Sequence, residues 1–254
     1  MKRLVNRFLL AVAFLTRLPV PCDMAEGEYA IAQSAAFFPL VGAIVAGGAI
    51  LVRHIFSRFV PHAVVVLAMI VFLVTVTGGF HEDALADSAD GFGGGWNKDQ
   101  VLTIMRDSRI GSFGALAIAL SVLARYVLLS NLPEATLDGY LLGAHVVCRW
   151  TALPLAYFLP SARAESGQGG QVAGKLSTAT FLVGTLFAAA ILGVALGTKA
   201  LWMGLAAVVV VAATGAYYRR RIGGVTGDCL GASNQLTEIA LYFTGVVLET
   251  VGGR

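Results

Sequence analysis

Asp83, Asp87 and Asp90 stand at i, i+4 and i+7 within Gly78-Gly79-Phe80-His81-Glu82-Asp83-Ala84-Leu85-Ala86-Asp87-Ser88-Ala89-Asp90-Gly91. On a helix that spacing puts all three on one face, with neighbouring Cβ atoms about 5–6 Å apart. Carboxylates so close repel one another in a low-dielectric setting unless protons or a cation compensate. An all-oxygen ligand set favours Mg²⁺ or Mn²⁺, ions that also bridge phosphate oxygens. Gly91, Gly93, Gly94 and Gly95 follow at once and leave backbone amides open to a ligand. The stretch therefore predicts a metal site for phosphoryl chemistry, set against the plainer reading of a solvated acidic turn.

A second group reads Ile104-Met105-Arg106-Asp107-Ser108-Arg109-Ile110-Gly111-Ser112-Phe113-Gly114. Arginine offers a bidentate fork and a helix N-terminus presents free N–H groups, so Arg106 and Arg109 are candidate phosphate contacts. Ordinary positive-inside anchoring is the alternative. Arg149 lies within an apolar run, where a charge costs at least ~2.5 kcal/mol and normally faces a partner or a cavity. Near the C-terminus, Gly223-Gly224-Val225-Thr226-Gly227-Asp228 leads to Asn234 and Glu238. Asp228 is expected to share the metal of the three aspartates, directly or through a water; a helix cap is the simpler role. His81 adjoins the acidic face as a candidate base or ligand.

The elements that hold these groups follow from composition. Of 254 residues, 57% are hydrophobic and 13% are charged, against about 25% charged in a soluble domain. A lipid-exposed backbone must satisfy its own hydrogen bonds, as a helix or a closed barrel. The apolar blocks lack the ~10-residue alternation of barrel strands, and several approach the roughly 20 residues that cross ~30 Å of hydrocarbon. The expectation is an all-α, polytopic membrane protein with about six to seven transmembrane helices and an N-terminal interfacial helix. Candidate spans are 34–52, 61–80, 112–131, 137–159, 179–198, 200–217 and 236–251. Gly197-Thr198-Lys199 is a tight connection that leaves a single broken hairpin open as an alternative. The reading is one integral membrane domain over 1–254, with an interfacial segment at 1–33, an acidic loop at 81–111 and a glycine-rich loop at 218–235. The N-terminal run resembles a signal peptide, but Arg17 interrupts it and no small-x-small site follows. Cys22, Cys148 and Cys229 read as unpaired thiols.

With the N-terminus inside, twelve basic residues fall on the cytoplasmic side and four, Arg53, Arg58, Lys199 and Arg254, fall outside. The carboxylates follow: Asp23, Glu26, Glu28, Glu165 and Asp228 join those of the acidic loop inside, leaving Glu134, Asp138 and Glu249 outside. A positive-inside bias explains the first asymmetry but not the second; a working cytoplasmic surface explains both. The net charge of +3 is small, and no nucleic-acid partner is expected.

At these residues the sequence resembles the adenosylcobinamide-GDP ribazoletransferases, the cobalamin synthases. The resemblance runs nearly the whole chain through Phe14-Leu15-Thr16-Arg17-Leu18-Pro19-Val20-Pro21, Phe38-Pro39-Leu40-Val41-Gly42, the Gly78–Gly91 stretch, Met105-Arg106-Asp107-Ser108-Arg109-Ile110-Gly111 and Gly224-Val225-Thr226-Gly227-Asp228-Cys229-Leu230-Gly231-Ala232. Where that family usually carries glycine after its first motif aspartate, this chain has Ala84. The resemblance implies a transferase joining α-ribazole, or its 5′-phosphate, to adenosylcobinamide-GDP with loss of GMP, requiring Mg²⁺, in a bacterial inner membrane with the site facing the cytoplasm. It implies metal at Asp83, Asp87 and Asp90, pyrophosphate contacts from Arg106 and Arg109, and Asp107 or His81 as acceptor of the hydroxyl proton. Membrane lipid surrounds such a chain; homo-oligomerisation is left open. Two other classes remain: a lipid enzyme of the CDP-alcohol phosphotransferase kind, from Asp87-x-x-Asp90-Gly91, and an ion-coupled transporter using Arg149 and Glu238 at mid-membrane.

Overall fold

A computed structural model describes residues 2–22, 30–163, 172 and 175–252. Asp23, Glu26, Glu28, Glu165, Arg254 and part of the 1–33 segment lie outside the described residues. The helices are α1 (Lys2–Leu15), α2 (Ala30–Ser34), α3 (Phe38–Phe56), α4 (His62–Thr77), α5 (Phe80–Gly94), α6 (Lys98–Ile104), α7 (Ser112–Asn131), α8 (Glu134–Trp150), α9 (Ala152–Phe158), α10 (Thr178–Leu196), α11 (Ala200–Ile222) and α12 (Gly227–Gly252). Among the described residues the only β-pairing is a bridge between Ser161 and Val225. The fold is all-α, and its long apolar helices make it a polytopic membrane protein.

Among the described residues, four stretches are long and apolar enough to cross a membrane: Ala30–Phe56, Ser112–Asn131, Glu134–Phe158 and Thr178–Ile222. A fifth appears if α4 and α5, bent by 85° at their junction, count as one broken span. The difference from the expected six to seven has physical causes. The apolar run at 61–80 contains a break, so α4 ends after 16 residues. The Thr178–Ile222 stretch contains two helices, of 19 and 23 residues, separated at Gly197 with φ +55°. Tyr157 meets Thr178 at one end of α10, and Gly139 abuts Ala195 at the other. Lys199 pairs with Glu249, while Tyr218 meets Ser233. Both helices therefore run antiparallel to their neighbours, and the chain reverses at Gly197. The 26-residue α12 is long enough to span but carries Asp228, Asn234, Gln235 and Glu238 in its first half.

Gly78 and Gly79, both at φ +69°, make the bend between α4 and α5. Side chains rarely adopt that left-handed region, and a Cβ on Gly78 would also strike the side chain of Arg17. Arg17 in turn donates its backbone N–H to Val76 at 2.8 Å. The segment after α1 is thus fastened to the break, and α1 buries Leu10, Ala11, Val12 and Leu15 in the core. The predicted interfacial helix is packed into the bundle along one face.

Two loop assignments are corrected. The 81–111 segment is largely helical, as α5 and α6, because its small and apolar residues Ala84, Leu85, Ala86 and Val101 pack inward. The 218–235 segment shrinks to the few residues between Ile222 and Gly227, since α11 and α12 extend well past the apolar blocks.

Candidate functional site

Acidic α5 packs along α12 and α7, with Gly231 of α12 set against Ala84 of α5. Beside this crossing lies a cavity of about 260 Å³. Its polar wall is His81, Asp83, Arg149, Arg163, Asp228 and Asn234; its apolar wall includes Phe14, Leu15, Phe38, Phe80, Ala152 and Leu230. Residues from α1, α3, α5, α8, α12 and the loop after α9 thus meet around one space.

The structure places the four aspartates in different surroundings. Asp83 and Asp228 line the cavity. Asp87, one turn along α5, is half-buried and feels the charges of Asp83, Asp228 and Asp90, tempered by Arg163. Asp90 faces elsewhere: its Oδ2 accepts the N–H of Gly111 and its Oδ1 that of Gly114, both at 2.8 Å. It fastens the N-terminus of α7 to α5 and satisfies two donors that no turn of α7 can reach. Asp83, Asp87 and Asp228 are hard-oxygen donors near enough for the other two charges to act on Asp87, a chemistry that suits Mg²⁺. Among the described residues, however, only His145, Cys148 and Glu238 bring three ligand atoms within 4.8 Å of one another. Asp90 gives one lone pair of each oxygen to a backbone donor.

The Arg106–Arg109 segment does not reach the cavity. Asp107 and Arg109 pair with each other, and the Arg109 side chain is 87% exposed. The Arg109 guanidinium and backbone N–H hold the Asp107 carboxyl down at about 2. Arg106 is exposed. By contrast Arg163, which the sequence offers only as a loop basic residue, donates to Asp228 Oδ2 at 2.9 Å. It is set there by the Ser161–Val225 bridge, in which Ala162 N–H bonds Val225 O and Val225 N–H bonds Pro160 O, both at 2.9 Å.

Arg149 is 2% exposed yet lines the cavity. Its Nη1 donates to the His145 carbonyl and lies 3.1 Å from His145 Nδ1. Among the described residues no carboxylate lies within ion-pair distance of it. The nearby acids gather on Arg125 instead: Glu82 at 2.9 Å and Glu238 at 3.9 Å. Gln235 donates to Glu82 at 3.2 Å and accepts from Ser121 at 3.1 Å. Glu238, a candidate transporter charge, is therefore part of a buried polar network across α5, α7, α8 and α12. Ligand atoms of His145, Cys148 and Glu238 lie within 4.8 Å of one another, but the Arg149 guanidinium sits against His145 and Cys148, so this cluster already holds a cation.

His81, 4% exposed, lines the cavity beside the edge of Phe80, ring centroids 5.3 Å apart. The cavity thus collects carboxylates, two guanidinium groups and an imidazole, the groups that phosphoryl transfer needs.

The sequence profile of cobalamin-5-phosphate synthase matches residues 7–246. The chain is 37% identical over 244 residues to an adenosylcobinamide-GDP ribazoletransferase of Vibrio parahaemolyticus serotype O3:K6, covering 93% of this chain and 90% of the relative. It is 37% identical to that of Ralstonia nicotianae, with 92% of each chain covered, and 39% identical to that of Leptothrix cholodnii, again with 92% of each. No solved structure matches the chain.

Proposed function

The chain belongs to the cobalamin-5-phosphate synthase family, and from that premise we propose that it joins α-ribazole, or its 5′-phosphate, to adenosylcobinamide-GDP. GMP leaves, and adenosylcobalamin or its 5′-phosphate forms. The observation that carries this reading is the meeting of Asp83, Asp228, Arg149, Arg163 and His81 around one cavity. The acceptor's ribose hydroxyl oxygen bonds to the corrinoid-side phosphorus of the pyrophosphate. The bond from that phosphorus to the bridging oxygen breaks, and its electron pair leaves with GMP. His81 takes the hydroxyl proton, being the one imidazole among the described residues of the cavity wall. Arg149 and Arg163 face the charge that builds on the departing phosphate, taking the place that Arg106 and Arg109 have in the sequence reading. Asp83, Asp87 and Asp228 would hold Mg²⁺, which when bound polarises phosphoryl oxygens as a Lewis acid.

The basic and acidic asymmetry of the loops supports a bacterial inner-membrane location with the cavity opening to the cytoplasm. Purified protein in liposomes, given both substrates, should release GMP in proportion to the cobalamin product. Failure of the wild-type protein to do so over a range of Mg²⁺ concentrations would remove this function. Asp83→Asn, inserted normally, should release little GMP at the Mg²⁺ concentration that saturates the wild type.

A further inference from the structure

The apolar wall of the cavity includes three phenylalanine rings joined through Phe14. Phe14 of α1 stacks on Phe38 of α3, centroids 5.8 Å apart with planes at 11°. Phe14 also meets Phe80 of α5 edge-on at 5.6 Å. Phe38 is buried, whereas Phe14 and Phe80 are only half-buried, and all three line the cavity. A purely structural aromatic cluster would close over its own rings; this one leaves two of them on a wall shared with His81 and Asp83.

We propose that Phe14, Phe38 and Phe80 form the subsite for the planar two-ring base of the acceptor nucleoside, an inference that rests on the function proposed above. Three features select that occupant. At about 260 Å³ the cavity is below the ~300–1,000 Å³ of common ligand pockets, far too small for a corrin macrocycle but suited to a flat base. A flat base gains from aromatic faces without needing hydrogen-bond readout. The competing planar group, guanine, carries a polar edge of donors and acceptors that would lie unpaired against phenylalanine rings. With the base on this wall, the attached ribose lies beside His81, whose ring adjoins Phe80. The fastening of Arg17 to the α4–α5 break then acquires a purpose, since it fixes Phe14, three residues earlier, against Phe80.

The test compares Phe14→Leu and Phe80→Leu, which keep apolar bulk but remove the ring face, with the wild type in liposomes. Each variant should raise KM for α-ribazole about tenfold, with KM for adenosylcobinamide-GDP and kcat at saturating acceptor unchanged. An equal or larger rise in KM for the corrinoid donor, or no rise for the acceptor, overturns the subsite. Should a variant insert poorly, equilibrium dialysis of benzimidazole against the wild-type protein reads the subsite directly. Binding displaced by α-ribazole and not by GMP supports it; no binding, or displacement by GMP, overturns it. Because dialysis needs no turnover, a wild-type protein that binds benzimidazole but releases no GMP would refute the proposed reaction and leave the aromatic subsite standing.

Discussion

Gly231 of α12 lies so close to Ala84 of α5 that a Cβ on the glycine would strike the alanine methyl. Both helices carry site carboxylates, Asp83 and Asp87 on one and Asp228 on the other, so their separation sets the spacing of the donors. Gly231→Ala should force the helices apart and lower GMP release at least tenfold. Ala84→Gly removes the obstructing methyl, and the next atoms in reach are 3.9 Å away. Activity should therefore return in the Ala84→Gly/Gly231→Ala double variant. A double variant as inactive as Gly231→Ala alone would show that the crossing distance is not what matters.

Asp90 and Asp83 should separate cleanly. Replacing Asp90 by alanine orphans the Gly111 and Gly114 N–H groups and should cost about 1–2 kcal/mol of stability, as for a lost helix cap. The Mg²⁺ concentration giving half-maximal activity should stay unchanged in the surviving folded protein. Asp83→Asn should leave the melting temperature near wild type while raising that Mg²⁺ requirement. The reverse pattern would restore Asp90 to the metal site and remove Asp83.

The Arg125 network makes a stability prediction. Arg125 is 1% exposed and serves both Glu82 and Glu238. Arg125→Met leaves two buried carboxylates unpaired and should destabilise by about 3–5 kcal/mol, seen as a lower melting temperature and poor yield in detergent. Adding Glu82→Gln and Glu238→Gln to the same chain should recover most of the loss. If the triple variant melts no higher than Arg125→Met, unpaired charge is not the cause.

Asp107 yields a pH prediction. Its carboxyl is held at about 2 by Arg109, below the ordinary aspartate value near 3.9. The folded value is depressed, so the pair's contribution is present above about pH 4 and fades as pH falls toward 2. Across any working pH Asp107 is a charged, weakly basic partner of Arg109, poorly suited to take a proton. Asp107→Asn should leave the acidic limb of the pH–rate profile where it is. His81→Gln should lower kcat by about 10²–10⁴-fold. A profile that shifts in Asp107→Asn and not in His81→Gln would exchange their roles.

What the sequence reveals depends on how local each signal is. The i, i+4, i+7 face of Asp83, Asp87 and Asp90 is readable because helical spacing alone creates it, yet that spacing cannot say that Asp90 is turned to the N-terminus of α7. The meeting of Asp228 and Asp83 on one cavity wall is foreseeable once the charge pattern is read as placing both acidic segments on one side. Arg163 is not, because a lone arginine in a loop has no periodic signature, and only the Ser161–Val225 bridge brings it to Asp228. Arg109 has the right chemistry for a phosphate, but its nearest partner is the aspartate two residues away. Hydropathy likewise runs straight through Gly78-Gly79, since two glycines weigh little in an apolar average while their backbone turns the chain by 85°.

The last prediction concerns the ion pair between Arg163 and Asp228, 2.9 Å apart on the cavity wall. Arg163 would compete with a divalent cation for Asp228, since both draw on the same carboxylate oxygens. It also supplies a guanidinium that Asp228 cannot fully occupy, because five N–H donors face two oxygens. The two substitutions should therefore act in opposite directions on the metal. Asp228→Asn should raise the Mg²⁺ concentration for half-maximal activity, because one charged donor of the set is lost. Arg163→Gln should lower it by freeing Asp228, while raising KM for adenosylcobinamide-GDP through loss of a charge-assisted phosphate contact. A helix cap at Asp228 predicts something else, a loss of roughly 1 kcal/mol in stability with metal dependence untouched. Titrating Mg²⁺ against GMP release in both variants decides the matter. Equal shifts in the same direction would mean that Arg163 and Asp228 act only as a structural pair.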